Sequence, residues 1–326
     1  MRKTLNSNLN DLISGLLKKD PKERLTWEQY FNHSFFMRNK QDFRNYYKLE
    51  SQIPETNIYK VKSIENNKIK AIKIFDINKI KNNFSKNNLR NIGNDEINAY
   101  INNINKLIQN MIFIEGKYKE KNNIVKFYEY FHFKDEIAIV MELCDDNLLN
   151  LFVNKKQNLS SKEIYEILSQ LNNFFRIMTK NKLIYRTLNI KKILIKYENK
   201  EKTKYKVKIK LSEDNCFVKD LANNPIKKES QNINFIAPEI LKKEDYNEKC
   251  DLWSIGVIIY ILSFRKYPYI GNRKKEILNE IKSKGKLPIN SGDSNLNDLI
   301  KGLLKEEPNK RFTWEQYFNH PFFNNY

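Results

Sequence analysis

The most constraining feature of this sequence is where its two kinds of hydrophobic pattern occur. Between residues 46 and 143, strand-like runs surround one helix-like stretch at 91–113, in which isoleucines recur at helical spacing. After residue 144 the pattern is mainly helical, with predicted helices at 148–154, 161–180, 250–263, 274–283, 295–305 and 313–320. Strands gathered before helices, rather than alternating with them, indicate an α+β fold. The sequence therefore predicts a small β-rich lobe followed by a larger helical lobe.

The predicted strands are short apolar runs bounded by turn residues. In the first lobe they lie at 46–53, 57–61, 69–75, 124–133 and 136–143. Two further runs, at 193–197 and 205–211, fall within the helical lobe. The first lobe is thus expected to hold a five-stranded antiparallel sheet with one helix.

Composition limits the cellular setting. The three cysteines are scattered without metal-like spacing, and the Met-Arg-Lys start is not followed by an apolar signal core, so we expect a cytoplasmic protein. The longest apolar run, at 252–262, is too short to span a bilayer, so no membrane association is expected. The formal net charge is +20, but the lysines are spread over the whole chain, which favours a compositional bias over a specific nucleic-acid site. A basic binder of acidic partners is the alternative.

One 31-residue segment occurs twice. Residues 6–36 (the first copy) and 293–323 (the second copy) are identical at 23 positions, with an offset of 287 residues. The offset is far too long for a short-period repeat array. In the first copy, leucine and isoleucine recur at helical spacing, which predicts two amphipathic helices with an unpartnered apolar face. Residues 37–45 are polar and are the predicted linker.

Four motifs follow one another in the helical lobe. Residues 184–194 read IYRTLNIKKIL, 237–239 read APE, 251–256 read DLWSIG, and 310–314 read KRFTW. In this order they make the chain resemble the eukaryotic protein kinase family over residues 46–323. The resemblance implies a bilobal kinase fold with an N-lobe at 46–143 and a C-lobe at 144–323. It also implies that the first copy is the end of another kinase-like unit, from tandem units in a parent gene or a truncated gene model.

The resemblance gives two structural residues a partner. Glu239 of the APE motif is expected to pair with Arg311. Asp251 is expected to accept backbone N–H bonds from Tyr185 and Arg186. Arg186 itself is expected to form a structural hydrogen bond to the activation segment; the alternative is a phosphate on Ser230.

At the catalytic positions the sequence departs from the family pattern H-R-D-L-x-x-x-N. Thr187 stands at the position of the aspartate base, Asn189 at that of its supporting lysine, and Lys192 at that of the metal-binding asparagine. Leu211 stands at the metal-binding aspartate. Threonine is no proton acceptor near neutral pH, and leucine and lysine offer magnesium no oxygen ligand. An alternative is that Glu213 or Asp214 supplies one metal ligand through a shifted loop.

At the nucleotide positions the match is partial. The segment 51–58 occupies the place of the glycine-rich loop but contains no glycine. Lys73 matches the strand lysine, Met141 the gatekeeper, and 142–144 the hinge, so Lys73, Met141, Glu142 and Cys144 form a tentative ATP site. The helix glutamate that should pair with Lys73 corresponds either to Glu96 or, as we favour, to Leu107.

These departures predict a pseudokinase, a catalytically inactive kinase-like protein that acts as a binding, scaffolding or allosteric module in signalling. It would work through protein partners that the sequence does not identify, and no cofactor is expected. The alternative is an active serine/threonine kinase that uses non-standard residues, and in that case ATP and Mg²⁺ would be required.

Overall fold

The computed structural model describes residues 7–26, 29–30, 42–54, 56–80, 94–118, 123–201, 204–209, 233–284 and 287–324. The chain divides into two compact units. The first unit contains residues 1–116 and 126–143, and the second contains residues 117–125 and 144–326. Residues 117–125, which fall inside the predicted N-lobe, group with the second unit.

The first unit is built on one antiparallel sheet. Its strands are β1 (Tyr47–Gln52), β2 (Ile58–Ser63), β3 (Ile69–Asp76), β4 (Phe127–Phe133) and β5 (Glu136–Met141). The order across the sheet is β1-β2-β3-β5-β4. The predicted five-stranded sheet is therefore confirmed. The predicted strand at 124–133 begins later than expected because Ile124 makes only an isolated parallel bridge with Ile209.

Aromatic and β-branched side chains from the inner strands fill the core of this unit. Val61, Ile72 and Phe131 are fully buried there, and Phe43 packs against them at 1% exposure. Phe43 lies in a short helical turn at Phe43–Asn45, so the end of the predicted linker belongs to the first unit. Helix α1 (Ser7–Leu16) and helix α2 (Asn94–Lys117), up to its last residue but one, belong to the same unit. The second predicted helix of the first copy falls largely outside the described residues.

The second unit is mainly helical. Its helices are α3 (Leu148–Lys155), α4 (Ser161–Lys180), α5 (Pro238–Lys242), α6 (Lys249–Phe264), α7 (Lys274–Lys284), α8 (Ser294–Leu303) and α9 (Trp314–Phe318). A small sheet joins β6 (Asp146–Asn147), β7 (Ile193–Tyr197) and β8 (Tyr205–Ile209) in that order. The α+β fold predicted from the sequence is confirmed. Helix α9 is shorter than the predicted helix at 313–320 because a separate 3₁₀ turn follows at Pro321–Asn324.

Local signals explain where the two central helices lie. Helix α4 starts at a capping box in which Ser160 and Glu163 satisfy each other's backbone N–H groups. Helix α6 is apolar around its whole circumference and is buried from Cys250 to Ser263, as expected for a helix at the centre of a lobe. Within the described residues, no helix is long and apolar enough to cross a membrane.

Candidate functional site

The segment at 184–194 is held in place by a buried carboxylate on helix α6. The two oxygens of Asp251 accept the backbone N–H groups of Tyr185 and Arg186, each at 2.7 Å. This confirms the pairing expected from the motifs. Burial raises the pKa of Asp251 to about 6, although both backbone hydrogen bonds act to lower it.

Arg186 adopts a strained backbone conformation. Its φ of 67° lies in the left-handed region, which is unusual for a residue with a long side chain. The guanidinium is buried, at 1% exposure for the whole residue, and donates to the hydroxyl of Tyr246 at 2.9 Å. This bond goes to a side chain that follows the activation segment (211–239). Most of that segment lies outside the described residues, so the expected bond from Arg186 to its backbone stays a prediction. Ser230 lies outside the described residues, so a phosphate there stays a prediction.

Two of the departures from the catalytic pattern contact each other. The ammonium Nζ of Lys192 donates a hydrogen bond to the hydroxyl Oγ1 of Thr187 at 2.7 Å. Thr187 is buried, with 5% of its surface exposed, and Lys192 is half-buried. The ammonium also lies 5.6 Å from the ring centroid of Tyr185. The sequence reasoning placed both residues at functional positions but did not foresee this bond.

Asn189 holds the same loop from inside. Its Oδ1 accepts the backbone N–H of Lys191 at 3.0 Å and caps the 3₁₀ turn at Ile190–Lys192. Its Nδ2 donates to the backbone carbonyl of Thr187 at 3.2 Å. Both ends of the amide therefore bind the loop's own backbone, and this turn brings Lys192 back toward Thr187.

The second expected pair is also present. Arg311 donates to both oxygens of Glu239, at 2.8 and 3.0 Å, and both side chains are fully buried. The same guanidinium donates to the backbone carbonyls of Lys249 and Lys305. The bidentate geometry makes this a strong charge-assisted interaction.

In the first unit, Lys73 lies on β3 between β2 and β5, opposite Ile58 and Ile139. Only 4% of its surface is exposed, and its ammonium lies 4.9 Å from the ring centroid of Phe75. On helix α2, Leu107 is buried at 4% exposure. The side chain of Glu96 is outside the described residues, so the choice between Leu107 and Glu96 stays a prediction.

The loop between β1 and β2 is closed by its own hydrogen bonds. The N–H of Ile53 donates to the carbonyl of Ile58 at 2.8 Å, and the N–H of Thr56 donates to the carbonyl of Ile53 at 3.2 Å. The N–H of Ile58 donates to the hydroxyl of Thr56 at 3.1 Å. Pro54 has no N–H to offer. In the described part of the loop, these three N–H groups therefore bind acceptors of the loop itself, a feature that the missing glycines alone did not reveal.

Comparison with known proteins now decides the family. The sequence model of the protein kinase domain family matches residues 55–323 of this chain. The chain belongs to the protein kinase family. Among curated relatives, it is 25% identical to the serine/threonine-protein kinase atg1 of Dictyostelium discoideum over 82% of this chain. It is 27% identical to serine/threonine-protein kinase 33 of Bos taurus over 62% of this chain. These matches cover 37% and 42% of the relatives' own lengths, so the chain spans less than half of each.

The two groups that the motifs align with the base and with a metal ligand of the kinase family are a hydroxyl and an ammonium. The hydroxyl of Thr187 accepts the hydrogen bond from Lys192. Magnesium is held by carboxylate or carbonyl oxygens in octahedral geometry. That these two positions are the former base and metal-ligand positions stays a prediction. The part of the chain that the structure describes contains no cluster of three His, Cys, Asp or Glu side chains that could hold a metal. Leu211 and the acidic residues 213–214 lie outside the described residues.

The tentative adenine-binding positions differ in how far their side chains are buried. Met141 ends β5, is 7% exposed, and pairs with Ala71, so its side chain forms part of the core. The N–H of Glu142 donates to the carbonyl of Lys126 at 2.8 Å. Cys144 is partly exposed. The assignment of Lys73, Met141, Glu142 and Cys144 to an ATP site stays a prediction.

Proposed function

We propose that this member of the protein kinase family is a pseudokinase. It would act in the cytoplasm as a binding, scaffolding or allosteric module in signalling. The observation that carries the proposal is the 2.7 Å hydrogen bond from Lys192 to Thr187, which joins the position of the metal ligand to the position of the base. The partner is expected to be a protein, and the chain does not identify it.

The chemistry of phosphoryl transfer supports this reading. Kinases position the phosphates and neutralise the charge that develops on them with bound metal, while an aspartate accepts the proton of the substrate hydroxyl. A threonine hydroxyl does not accept a proton near neutral pH. An ammonium bound to that hydroxyl adds a positive charge where a divalent cation would have to be held. Both functions are thus opposed by the same pair.

The remaining scaffold supports a role that depends on shape. Asp251 still fixes the backbone of the loop, and the Glu239–Arg311 pair is buried and bidentate. These groups hold the helical lobe together without taking part in phosphoryl transfer. A lobe that keeps its buried polar pairs keeps a defined surface for partners.

Thermal unfolding with and without ligand tests the proposal. Wild-type protein is heated with ATP alone, Mg²⁺ alone and both together. A ligand that binds the native state and not the unfolded state stabilises it by RT ln(1 + [L]/Kd), so binding raises Tm. We expect millimolar Mg²⁺ to add nothing to the Tm measured with ATP alone. A further rise that requires Mg²⁺ would contradict the proposal.

Two variants of the loop make this assay specific. Lys192→Asn removes the ammonium and introduces asparagine, the residue type that binds metal at this position in the family. Lys191→Asn is the matched control, because Lys191 lies in the same turn and its side chain is exposed. If the ammonium excludes the metal, only Lys192→Asn gains any dependence of Tm on Mg²⁺. An equal response from both variants would show that loop charge in general, rather than this contact, is responsible.

The alternative is an active serine/threonine kinase that uses non-standard residues. It is favoured by the retained Lys73 and by the names of the relatives, which are serine/threonine-protein kinases. It requires a metal ligand from residues 213–214. Such a protein would incorporate phosphate in a Mg²⁺-dependent manner, and Lys73→Ala would abolish the incorporation.

The net charge of +20 favours a second alternative, a basic binder of acidic partners. Its affinity for a polyanion such as heparin should then fall steeply as salt rises, because counterions compete for the same charges. Binding that is unchanged between low and high salt would exclude it.

A further inference from the structure

Where the structure describes the first copy, at residues 7–26 and 29–30, its backbone resembles that of the second copy. Helices α1 and α8 occupy the same ten positions of their copies. The turn that follows is also the same: the N–H of Leu25 donates to the carbonyl of Gly15 at 3.1 Å, and the N–H of Phe312 donates to that of Gly302 at 3.2 Å. The two copies therefore share this helix and turn as well as a sequence.

The next helix starts are equivalent too. Thr26 and Gln29 exchange backbone-to-side-chain hydrogen bonds at 2.8 and 3.2 Å. Thr313 and Gln316 exchange the same bonds at 2.8 and 3.1 Å. The first copy thus reproduces the capping box that starts α9 in the second copy.

The arginine that both copies contain makes the same first hydrogen bond in each. Arg24 donates from Nε to the carbonyl of Lys18 at 2.8 Å, just as Arg311 donates from Nε to the carbonyl of Lys305 at 3.2 Å. Arg311 goes on to pair with a buried carboxylate, whereas the side chain of Arg24 is exposed. Among the residues that the structure describes, no carboxylate pairs with Arg24 as Glu239 pairs with Arg311.

The apolar faces of the copies differ in the same way. The equivalent side chains with their exposed fractions are Ile13 (43%) and Ile300 (0%), Leu16 (37%) and Leu303 (0%), and Leu17 (74%) and Leu304 (8%). A stripe of adjacent exposed aliphatic side chains with an exposed arginine beside it indicates an unpartnered interaction surface. Because the second copy has these residues buried, it shows what kind of surface covers them.

In the second unit, that covering surface is built from three helices and is here called the receptor surface. Helix α6 contributes Gly256, where an added Cβ would lie only 2.9 Å from Leu303, and α5 contributes Glu239. Two polar acceptors complete the receptor surface. The carbonyl of Glu248 accepts a hydrogen bond from the indole N–H of Trp314 at 3.3 Å, and the side-chain oxygen of Asn172 on α4 accepts one from the hydroxyl of Tyr317 at 2.9 Å. The side chains of the second copy that meet this surface are Leu303, Leu304, Arg311, Trp314 and Tyr317, and all five recur in the first copy.

We propose that the first copy is a docking element for a second helical lobe of kinase type, outside residues 1–326, that carries a receptor surface and lacks its own closing segment. The receptor surface of this chain is filled by residues of the second copy, so an intact second molecule of the same chain offers no vacancy. A lobe without that segment exposes an apolar helix that carries the glycine, and a glutamate that the closing segment would otherwise cover. Those are the groups that the leucines and Arg24 of the first copy match.

One charge indicates how the partner lobe differs from the lobe of this chain. In the second copy, Glu306 forms an ion pair with Lys242 of α5 at 2.8 Å. The first copy has Lys19 at the equivalent position, which would face Lys242 with like charge. The partner lobe is therefore expected to carry an acidic residue where this chain carries Lys242.

Co-expression tests the docking. The full chain is produced together with a tagged probe lobe, residues 42–292 of the same sequence, whose receptor surface is left open. We expect the full chain to keep the probe soluble and to co-purify with it. Leu16→Asp in the full chain should reduce the recovered complex at least tenfold, because it puts a charge in the centre of the contact. Ser14→Asp is the matched control, since Ser14 is exposed and corresponds to exposed Lys301, and should leave recovery unchanged.

A probe that remains soluble without the full chain bound to it would overturn the proposal. So would a probe that aggregates whichever version of the full chain is present. Equal recovery with Leu16→Asp would show that the second copy has exchanged between molecules instead.

A charge exchange provides an independent measurement. Lys19→Glu in the full chain should tighten its binding to the probe by up to about fivefold, the range of an exposed ion pair. Lys242→Glu in the probe should tighten binding to the wild-type full chain by a similar factor, and the two changes together should restore the original affinity. Affinity that does not depend on these charges would place the first copy elsewhere on the probe.

Discussion

Replacing Arg311 by alanine is the sharpest test of what holds the helical lobe together. The guanidinium is fully buried, donates to both oxygens of Glu239, and also donates to the backbone carbonyls of Lys249 and Lys305. Alanine leaves the carboxylate of Glu239 in the interior without a counter-charge. The carbonyls lose their donors in the same step.

The expected magnitude follows from this geometry. Removing one partner of a buried ion pair costs about 3–5 kcal/mol, because the other charge stays desolvated. In a lobe of this size each kcal/mol corresponds to roughly 2–4 °C in Tm. We therefore expect Arg311→Ala to lower Tm on the order of 10 °C. The adjacent Lys310, whose pair with Glu307 is well exposed, should contribute less than about 1 kcal/mol.

Thermal unfolding followed by circular dichroism measures both variants side by side. The double variant Glu239→Met, Arg311→Met separates the two causes, because it removes both charges and fills the volume with apolar atoms. Recovery of most of the lost Tm in the double variant would show that the uncompensated carboxylate is the cause. If Arg311→Ala lowered Tm no more than Lys310→Ala does, the reasoning from the buried pair would be refuted.

Two further predictions concern the same lobe. Gly256→Ala should lower the free energy of unfolding by about 2 kcal/mol in urea titrations, since the new methyl group would lie 2.9 Å from Leu303. The control Gly116→Ala should not destabilise, because the described residues place nothing else within 4 Å of its new methyl group. Equal effects of the two substitutions would contradict the close approach at Gly256. Because burial raises the pKa of Asp251 from 3.8 to about 6, the native state binds this proton more tightly than the unfolded state does. The stability that the protonated group contributes should therefore be lost as pH rises from about 4 to 6, by up to roughly 3 kcal/mol. The difference in unfolding free energy between wild type and Asp251→Asn over that pH range measures this, and a difference that grows in favour of wild type with rising pH would contradict it.

The motifs predicted the long-range scaffold correctly. The partners of Glu239 and Asp251 lie about seventy residues away along the chain, yet both contacts were expected because the motifs fix them within the fold. The sheet and the helices followed from periodicity, with small errors where tertiary contacts intervene, as at Ile124. Phe43 was assigned to a linker because its neighbours are polar, although one aromatic side chain is enough to anchor a segment in a core.

The contacts that define the site depended on features without a local signal. The bond between Lys192 and Thr187 occurs in a loop that also contains the turn capped by Asn189 and the left-handed Arg186. Intrinsic preference would not assign that conformation to arginine. In the β1–β2 loop, missing glycines indicated poor phosphate access, but the use of the hydroxyl of Thr56 as an internal acceptor was visible only in the structure.

The measurement that tests the central claim most directly is phosphate transfer from γ-labelled ATP to a general protein substrate and to the chain itself, with Mg²⁺ or Mn²⁺ present. The pair of Thr187 and Lys192 predicts incorporation no higher than that of a Lys73→Ala control. Metal-dependent incorporation that Lys73→Ala abolishes would contradict the account.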